Sequence, residues 1–403
     1  MAKDINPPRG MRDFLPVEKA KRDQVLDTIL STYQSHGFQA IETPALENIE
    51  RLTSGQGGDN EKLAFRVLKR GEELASALAT ENVDNLSDLG LRYDLTVPLT
   101  RFYATNQTKL PKVLKAIQSG PVWRAERPQK GRYRQFIQCD IDIIGDETNL
   151  AEIEILNASL DALDAIGIKN ATIRLNHRAL LTASILSLGV GEKDSQKAMI
   201  IIDKLDKLGS QGVVKEMLEN FGQAVADKTL NWLDEVSEQG SFPEELIDIA
   251  SALSARHQGR LRFDKTLVRG MGYYTGAIFE IEHPDSGSSI GGGGRYDGMV
   301  GKWLGTEVPA VGISFGFERV MELVEAKKDL VKSLVLVFEA NQMARALAIQ
   351  AEAIAKGYRV RLQQTPKKLN VVLESLEEQG FESFAVLDDS ILSFDQLSIK
   401  KLA

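Results

Sequence analysis

The side chains best placed to do chemistry lie in one stretch, GPVWRAERPQKGRYRQFIQCDIDIIG, residues 120–145. Val122, Arg124 and Glu126 alternate with Pro121, Trp123 and Ala125. After a basic turn, Gln138, Asp140 and Asp142 alternate with Ile137, Cys139, Ile141 and Ile143. Side chains alternate across a strand, so the pattern predicts a hairpin with one apolar face and one face of charges and amides. Arg127, Lys130, Arg132 and Arg134 crowd the turn, which Pro128 and Gly131 bend. A solvated outer face is one reading of such a hairpin. Arg, Glu, Gln and Asp presented together suit a polar ligand of mixed charge better than they suit water.

Three further segments carry similar signals. In LRYDLTVPLTRF, Arg92, Asp94 and Thr96 alternate with Tyr93, Leu95 and Val97, which predicts a second half-polar strand ended by Pro98. Residues 277–283 suit a strand with Glu280 and Glu282 on one side. They lead into Gly291–Gly294, four glycines that make sense where a ligand or another backbone comes very close. No Gly-Lys-Ser/Thr follows, so this is not a phosphate-binding P-loop, and the dinucleotide spacing is missing. Arg319 sits in the first turn of a helix after the strand VGISF. A cation is unfavourable there, so stacking on an aromatic base or pairing with an anion would explain it.

These segments need a scaffold. The chain has 403 residues, net charge −8, 43% hydrophobic and 26% charged residues, which fits two or three globular domains and not a generic nucleic-acid coat. Cys139 is the only cysteine, which excludes a disulfide framework and a Cys-based zinc site. The N-terminus lacks a signal-peptide core, and no apolar run approaches the ~20 residues of a membrane span. A cytoplasmic protein with no membrane partner is expected. Residues 17–36 predict an amphipathic helix stopped by Gly37, and FQAIETPALE a strand interrupted by Pro44. Residues 53–90 predict loops around a helix at Glu72–Ala79. Residues 150–166 predict a helix and 171–176 a strand. Residues 178–260 are helical throughout, punctuated by Gly209, Gly212, Gly240 and Pro243, and read as an insertion between sheet segments. Residues 331–403 predict a β-α-β-α-β unit with a parallel or mixed sheet, FAVL being its last clear strand.

Taken together these segments resemble the class II aminoacyl-tRNA synthetases, in the form of the histidyl-tRNA synthetase family. VWRAERPQKGRYRQFIQCDIDIIG resembles motif 2, GISFGFERV motif 3 and FQAIETPALE motif 1. LRYDLT, LVRGMGYYTG and GGGGRYDG resemble the family's amino-acid-binding strand, histidine signature and glycine-rich strand. The resemblance implies an α+β fold: a class II antiparallel sheet core with helices (1–177 and 261–328), an inserted helical subdomain (178–260) and a C-terminal α/β anticodon-binding domain (331–403). It implies a homodimer that activates L-histidine with ATP and transfers histidyl to the 3′-terminal adenosine of tRNA(His). ATP would come with Mg²⁺, with no tightly bound cofactor and no metal held by the protein. By the same resemblance Arg124 and Arg269 are catalytic. Arg124, Glu126, Arg132, Arg269 and Arg319 bind ATP, while Asp94, Leu95, Thr96, Gln138, Asp142, Tyr273 and Tyr274 bind histidine. Two departures stand out. Gly272 occupies a position where the family usually has Asp, and the last domain ends without the usual final strand and helix. The competing expectation is a non-catalytic paralogue that regulates ATP phosphoribosyltransferase in histidine biosynthesis.

Overall fold

The computed structural model describes residues 5–53, 62–128, 131–235, 241–269, 272–325 and 332–402. Lys130, Gly240, Gly270 and Met271 lie outside the described residues. The chain runs α1 (Pro16–Ser35), β1 (Gln39–Ala40), β2 (Leu46–Asn48), α2 (Ile49–Leu52), β3 (Arg66–Leu68), α3 (Gly71–Leu78), β4 (Ser87–Leu91) and α4 (Thr96–Asn106). Next come β5 (Leu114–Trp123), β6 (Gln135–Ile144), α5 (Leu150–Ala165), β7 (Thr172–His177), α6 (Arg178–Ser187), α7 (Ser195–Ile202), α8 (Leu205–Phe221), α9 (Gln223–Asp234) and α10 (Glu244–Ser254). Then follow β8 (Leu261–Phe263), β9 (Ala277–Glu282), β10 (Gly291–Arg295), α11 (Asp297–Gly301), β11 (Ala310–Gly316) and α12 (Phe317–Leu323). The last elements are β12 (Ser333–Phe338), α13 (Met343–Ala355), β13 (Arg359–Gln364), α14 (Leu369–Glu378), β14 (Ser383–Val386) and β15 (Lys400–Lys401). Two compact units result. One comprises residues 1–13 and 25–324, the other residues 14–24 and 325–403.

The first unit is built on an eight-stranded sheet in the order β1-β5-β6-β11-β10-β9-β7-β8. Its inner pairs are antiparallel, while β1 joins β5 and β8 joins β7 in parallel. The alternation read from the sequence decides what each face does. Ile117, Cys139, Ile141, Ile143, Phe279, Ile281, Ile313 and Phe315 are buried in one apolar cluster with Ile29 and Tyr33 of α1 and with side chains of α5, α10 and α12. The other face carries the polar and glycine positions. One cross-strand row runs Gln118, Asp140, Ser314, Gly292, Glu280, Arg174. The next runs Ala116, Asp142, Gly312, Gly294, Ile278, Asn176. The register therefore sets six strands' worth of site-face residues side by side.

Helices α6–α9 share an apolar cluster of their own, including Leu181, Met199, Val213 and Trp232. Leu246, Ile249 and Leu253 of α10 instead join the main sheet cluster. In the second unit the sheet order is β13-β12-β14-β15, parallel except for β15. The continuous apolar run of β12 follows from burial on both faces. Leu334, Leu336 and Phe338 pack with α13, and Val335 and Val337 with α14.

Three local expectations need correction. Residues 53–90 hold more than loops: β3 and β4 form a three-stranded sheet with β2. The strand expected across residues 92–97 ends at Leu91, and helix α4 begins at Thr96, two residues before Pro98. Proline is tolerated there because the first-turn N–H groups have no intrahelical acceptor. Finally, FAVL is followed by one more short strand, β15, antiparallel to β14.

Candidate active site

The polar face of the large sheet forms the floor of a cleft of about 1040 Å³. Asp94, Thr96, Arg124, Glu126, Arg132, Gln138, Asp142, Arg269, Tyr273, Tyr274 and Arg319 all line it. Leu95 does not. Its side chain is buried, and its carbonyl accepts a hydrogen bond from Gln118 Nε2 at 3.0 Å. The LRYDLT segment still splits into polar and apolar sides, because the turn after β4 keeps Tyr93, Leu95 and Val97 in the core while Asp94 and Thr96 face the cleft. Asp94 Oδ1 accepts from the Val97 N–H (3.1 Å), which ties the carboxylate to the start of α4. Arg92 is structural. It is buried and donates to the carbonyls of Thr43 (2.7 Å) and Pro121 (3.0 Å).

The arginines are held in different ways. Arg124 donates to the Tyr93 carbonyl (3.0 Å), and its guanidinium lies 5.1 Å from the Phe136 ring centre. Arg269 donates to Glu280 Oε2 (2.7 Å), and Glu280 lies 3.8 Å from Arg174. Arg319 donates to the Ser289 carbonyl (2.7 Å), and Arg132 pairs with Glu126 at 3.2 Å. Burial lowers the affinity of Arg124 and Arg319 for their protons, and for Arg319 the neighbouring Arg132 adds to this. Burial also opposes the charge of Arg269, but Tyr274 and Glu280 more than offset it. The guanidinium ends above its ordinary value.

The carboxylates show the opposite strain. Burial pushes Asp94 up to about 6, with the Val97 N–H and Arg124 only partly compensating. Burial pushes Asp142 up to about 7 against the hydrogen bond from Tyr296 OH to its Oδ1, 2.6 Å long. Burial and then the neighbouring Asp142 push Asp140 well above the usual carboxylate range. Three buried acids crowded on one floor favour a cationic ligand, since a positive charge arriving there would relieve all three.

Glycines 291–294 do not simply leave room for a ligand. A Cβ on Gly292 would lie 2.7 Å from Arg269 Nη1, and one on Gly293 would lie 1.9 Å from the Gly312 carbonyl oxygen. The space is taken by the arginine and by β11. Gly272 is exposed, and a Cβ there would meet Gln196 at an ordinary 3.6 Å, so Tyr273 and Tyr274 reach the cleft without an aspartate at that position.

Several cleft residues were absent from the sequence-level assignment. Asp140 and Glu280 had a signal, because each shares strand parity with a recognised polar position. Tyr296 and Ser314 had none, since their relevance comes from the cross-strand contacts to Asp142 and Gln138. Asp203, Asp206 and Lys207, near the α7–α8 junction, also line the cleft. Only the tertiary fold brings them there.

The chain matches the profile of the family described as Histidyl-tRNA synthetase over residues 10–320. It is 50% identical over 415 residues to the histidine–tRNA ligase of Leifsonia xyli subsp. xyli, covering 96% of each chain. It is 42% identical to the probable histidine–tRNA ligase of Tropheryma whipplei strain Twist, covering 95% of this chain and 96% of the relative. The fold is similar to that of crystalline histidyl-tRNA synthetase from Nostoc sp. PCC 7120, with a TM-score of 0.77 at 24% identity over 99% of this chain and 95% of that one.

Proposed function

The chain belongs to the histidyl-tRNA synthetase family, and on that premise we propose how its side chains divide the work. It is a class II aminoacyl-tRNA synthetase that uses ATP, L-histidine and tRNA. It converts histidine and ATP to histidyl-adenylate and pyrophosphate, then transfers histidyl to the 3′-terminal adenosine of tRNA(His). In the first step a histidine carboxylate oxygen bonds to the α-phosphorus as the bond to pyrophosphate breaks. Little covalent work falls to the protein. It must align the two substrates and neutralise phosphate charge.

Arg124 and Arg269 are assigned to the α-phosphate. Release of Arg269 from Glu280 would let its guanidinium turn to the nucleotide. Arg319 is assigned to stacking on adenine, Glu126 to the adenine edge and Arg132 to the outer phosphates. Asp94, Thr96 and Gln138 take the ammonium of histidine, and Asp142 and Tyr274 its imidazole, with Tyr273 beside them. Mg²⁺ is assigned to the phosphates of ATP as they enter. The nearest carboxylate to Arg269, Glu280, is already engaged by it, which suits an arginine rather than a resident metal at the α-phosphate.

Residues 1–177 and 261–328 are proposed as the catalytic core and residues 178–260 as the helical insertion. The separate apolar cluster of α6–α9 supports that division, although α10 belongs with the sheet. Residues 331–403 are proposed to bind the anticodon. A homodimer is proposed, along with a cytoplasmic location. Among the described residues no helix is long and apolar enough to cross a membrane.

The observation that carries this reading is one cleft holding Asp94, Asp140 and Asp142 together with Arg124, Arg132, Arg269 and Arg319. The same observation disfavours the regulatory paralogue, which has no need of all these arginines. Histidine-dependent ATP–pyrophosphate exchange tests it. Exchange with histidine and with no other common amino acid is expected. Histidine binding without exchange would instate the regulatory reading.

A further inference from the structure

Asp140 has no place in the roles above, yet it stands at the centre of the floor. It is 3% exposed and lies between Gln118 and Ser314 in its cross-strand row. Gln138 Nε2 donates to Ser314 Oγ at 2.7 Å, and Ser314 stands directly opposite Asp140 in the pairing of β11 with β6. This hydrogen bond fixes the Gln138 amide, since its nitrogen is used on Ser314 and its oxygen remains for the cleft. Three buried acceptors of residues that line the cleft are then left without a partner: Asp94 Oδ2, Gln138 Oε1 and Asp140 Oδ1. A fourth, Asp142 Oδ2, belongs to the carboxylate that Tyr296 already holds. Buried acceptors without partners are costly, so a site that keeps several is shaped for a ligand with matching donors. An alkylammonium has three N–H donors, and an imidazole N–H supplies one more.

We propose that Asp140 binds the α-ammonium of the substrate, its Oδ1 sharing the three N–H donors with Asp94 Oδ2, Gln138 Oε1 and the Thr96 hydroxyl. This rests on the histidine-activating reading above. It makes Asp140 a recognition residue for the charge of the amino acid, while Asp142 remains the reader of the ring. Crowding of carboxylates is relieved when the ammonium arrives.

The test compares histidine with its deamino analogue, 3-(imidazol-4-yl)propanoate, by calorimetric titration of wild-type protein and of Asp140→Asn. A hydrogen bond to a charged group is worth ~1.5–3 kcal/mol, which converts to a roughly 10- to 100-fold loss of histidine affinity in the variant. Binding of the deamino analogue should stay within about threefold of wild type. Asp140→Ser, which keeps a polar partner for Ser314, should give the same split and serves if the Asn variant does not fold. Equal losses for both ligands, or no loss for histidine, overturns the assignment of Asp140 while leaving the activity intact. Absence of histidine binding by the wild-type protein overturns the assignment together with the reading it rests on.

Discussion

Asp142→Asn should make the empty protein more stable at pH 8 while crippling its use of histidine. Asp142 is 3% exposed, and burial holds its carboxyl at about 7, whereas an aspartate in the unfolded chain titrates near ~3.9. Between those values the native state binds more protons than the unfolded state, so stability falls as pH rises through that window. A difference of about 3 pH units at ~1.36 kcal/mol each sets a ceiling of about 4 kcal/mol, fully expressed above pH 8 and absent near pH 4. Asparagine keeps the oxygen that accepts from Tyr296 and removes the charge. The difference in melting temperature between variant and wild type should therefore start near zero at pH 4 and grow to several degrees in the variant's favour by pH 8. Both proteins are measured without histidine, because bound ligand would add its own stabilisation. In exchange assays the same variant should show a histidine KM raised roughly 10- to 100-fold, from loss of the charged acceptor proposed for the imidazole N–H. Melting curves displaced equally at every pH would refute the argument, since they would mean that the carboxylate carries no penalty of burial.

Arg269→Ala should lower the exchange rate by ~10²–10³ with little change in histidine affinity, because the donor proposed for the charge at the α-phosphate is lost. An equal loss of affinity with an unchanged chemical step would contradict this. Gly292→Ala would put a Cβ 2.8 Å from the Arg269 guanidinium carbon and 2.9 Å from the Phe279 carbonyl oxygen. It should reproduce much of the Arg269→Ala defect, read as kcat for exchange in protein whose circular dichroism is native. Tyr296→Phe removes the 2.6 Å hydrogen bond to Asp142 and should cost about 1–3 kcal/mol in urea unfolding at pH 8, where the carboxylate is ionised. Ile349→Ala, at a fully buried position of α13, should destabilise the second unit by ~2–5 kcal/mol. Exchange activity, proposed to reside in the first unit, should persist at temperatures where charging of tRNA fails.

Much was legible in the residues alone, for a local reason. Strand parity and helix periodicity depend on neighbours in the chain, so the hairpin of β5 and β6 could be divided into its core side and its polar side without a structure. The same holds for the helical character of residues 178–260 and for the alternating unit at the C-terminus. Motif identity added the family, because its signatures are strings of local residues. What the sequence could not decide was adjacency between strands distant in the chain. Asp140 meets Ser314 and Asp142 meets Gly312 only because β11 pairs with β6 in one register, and a slip of one residue would turn every polar side chain into the core. The glycines of β10 looked like space for a ligand until the close approach of Arg269 and of the Gly312 carbonyl showed what fills that space. Even the shifted acidity of Asp94, Asp140 and Asp142 is a tertiary property. It comes from the burial of three carboxylates on one floor, and two of them come from β6 while the third comes from the turn before α4.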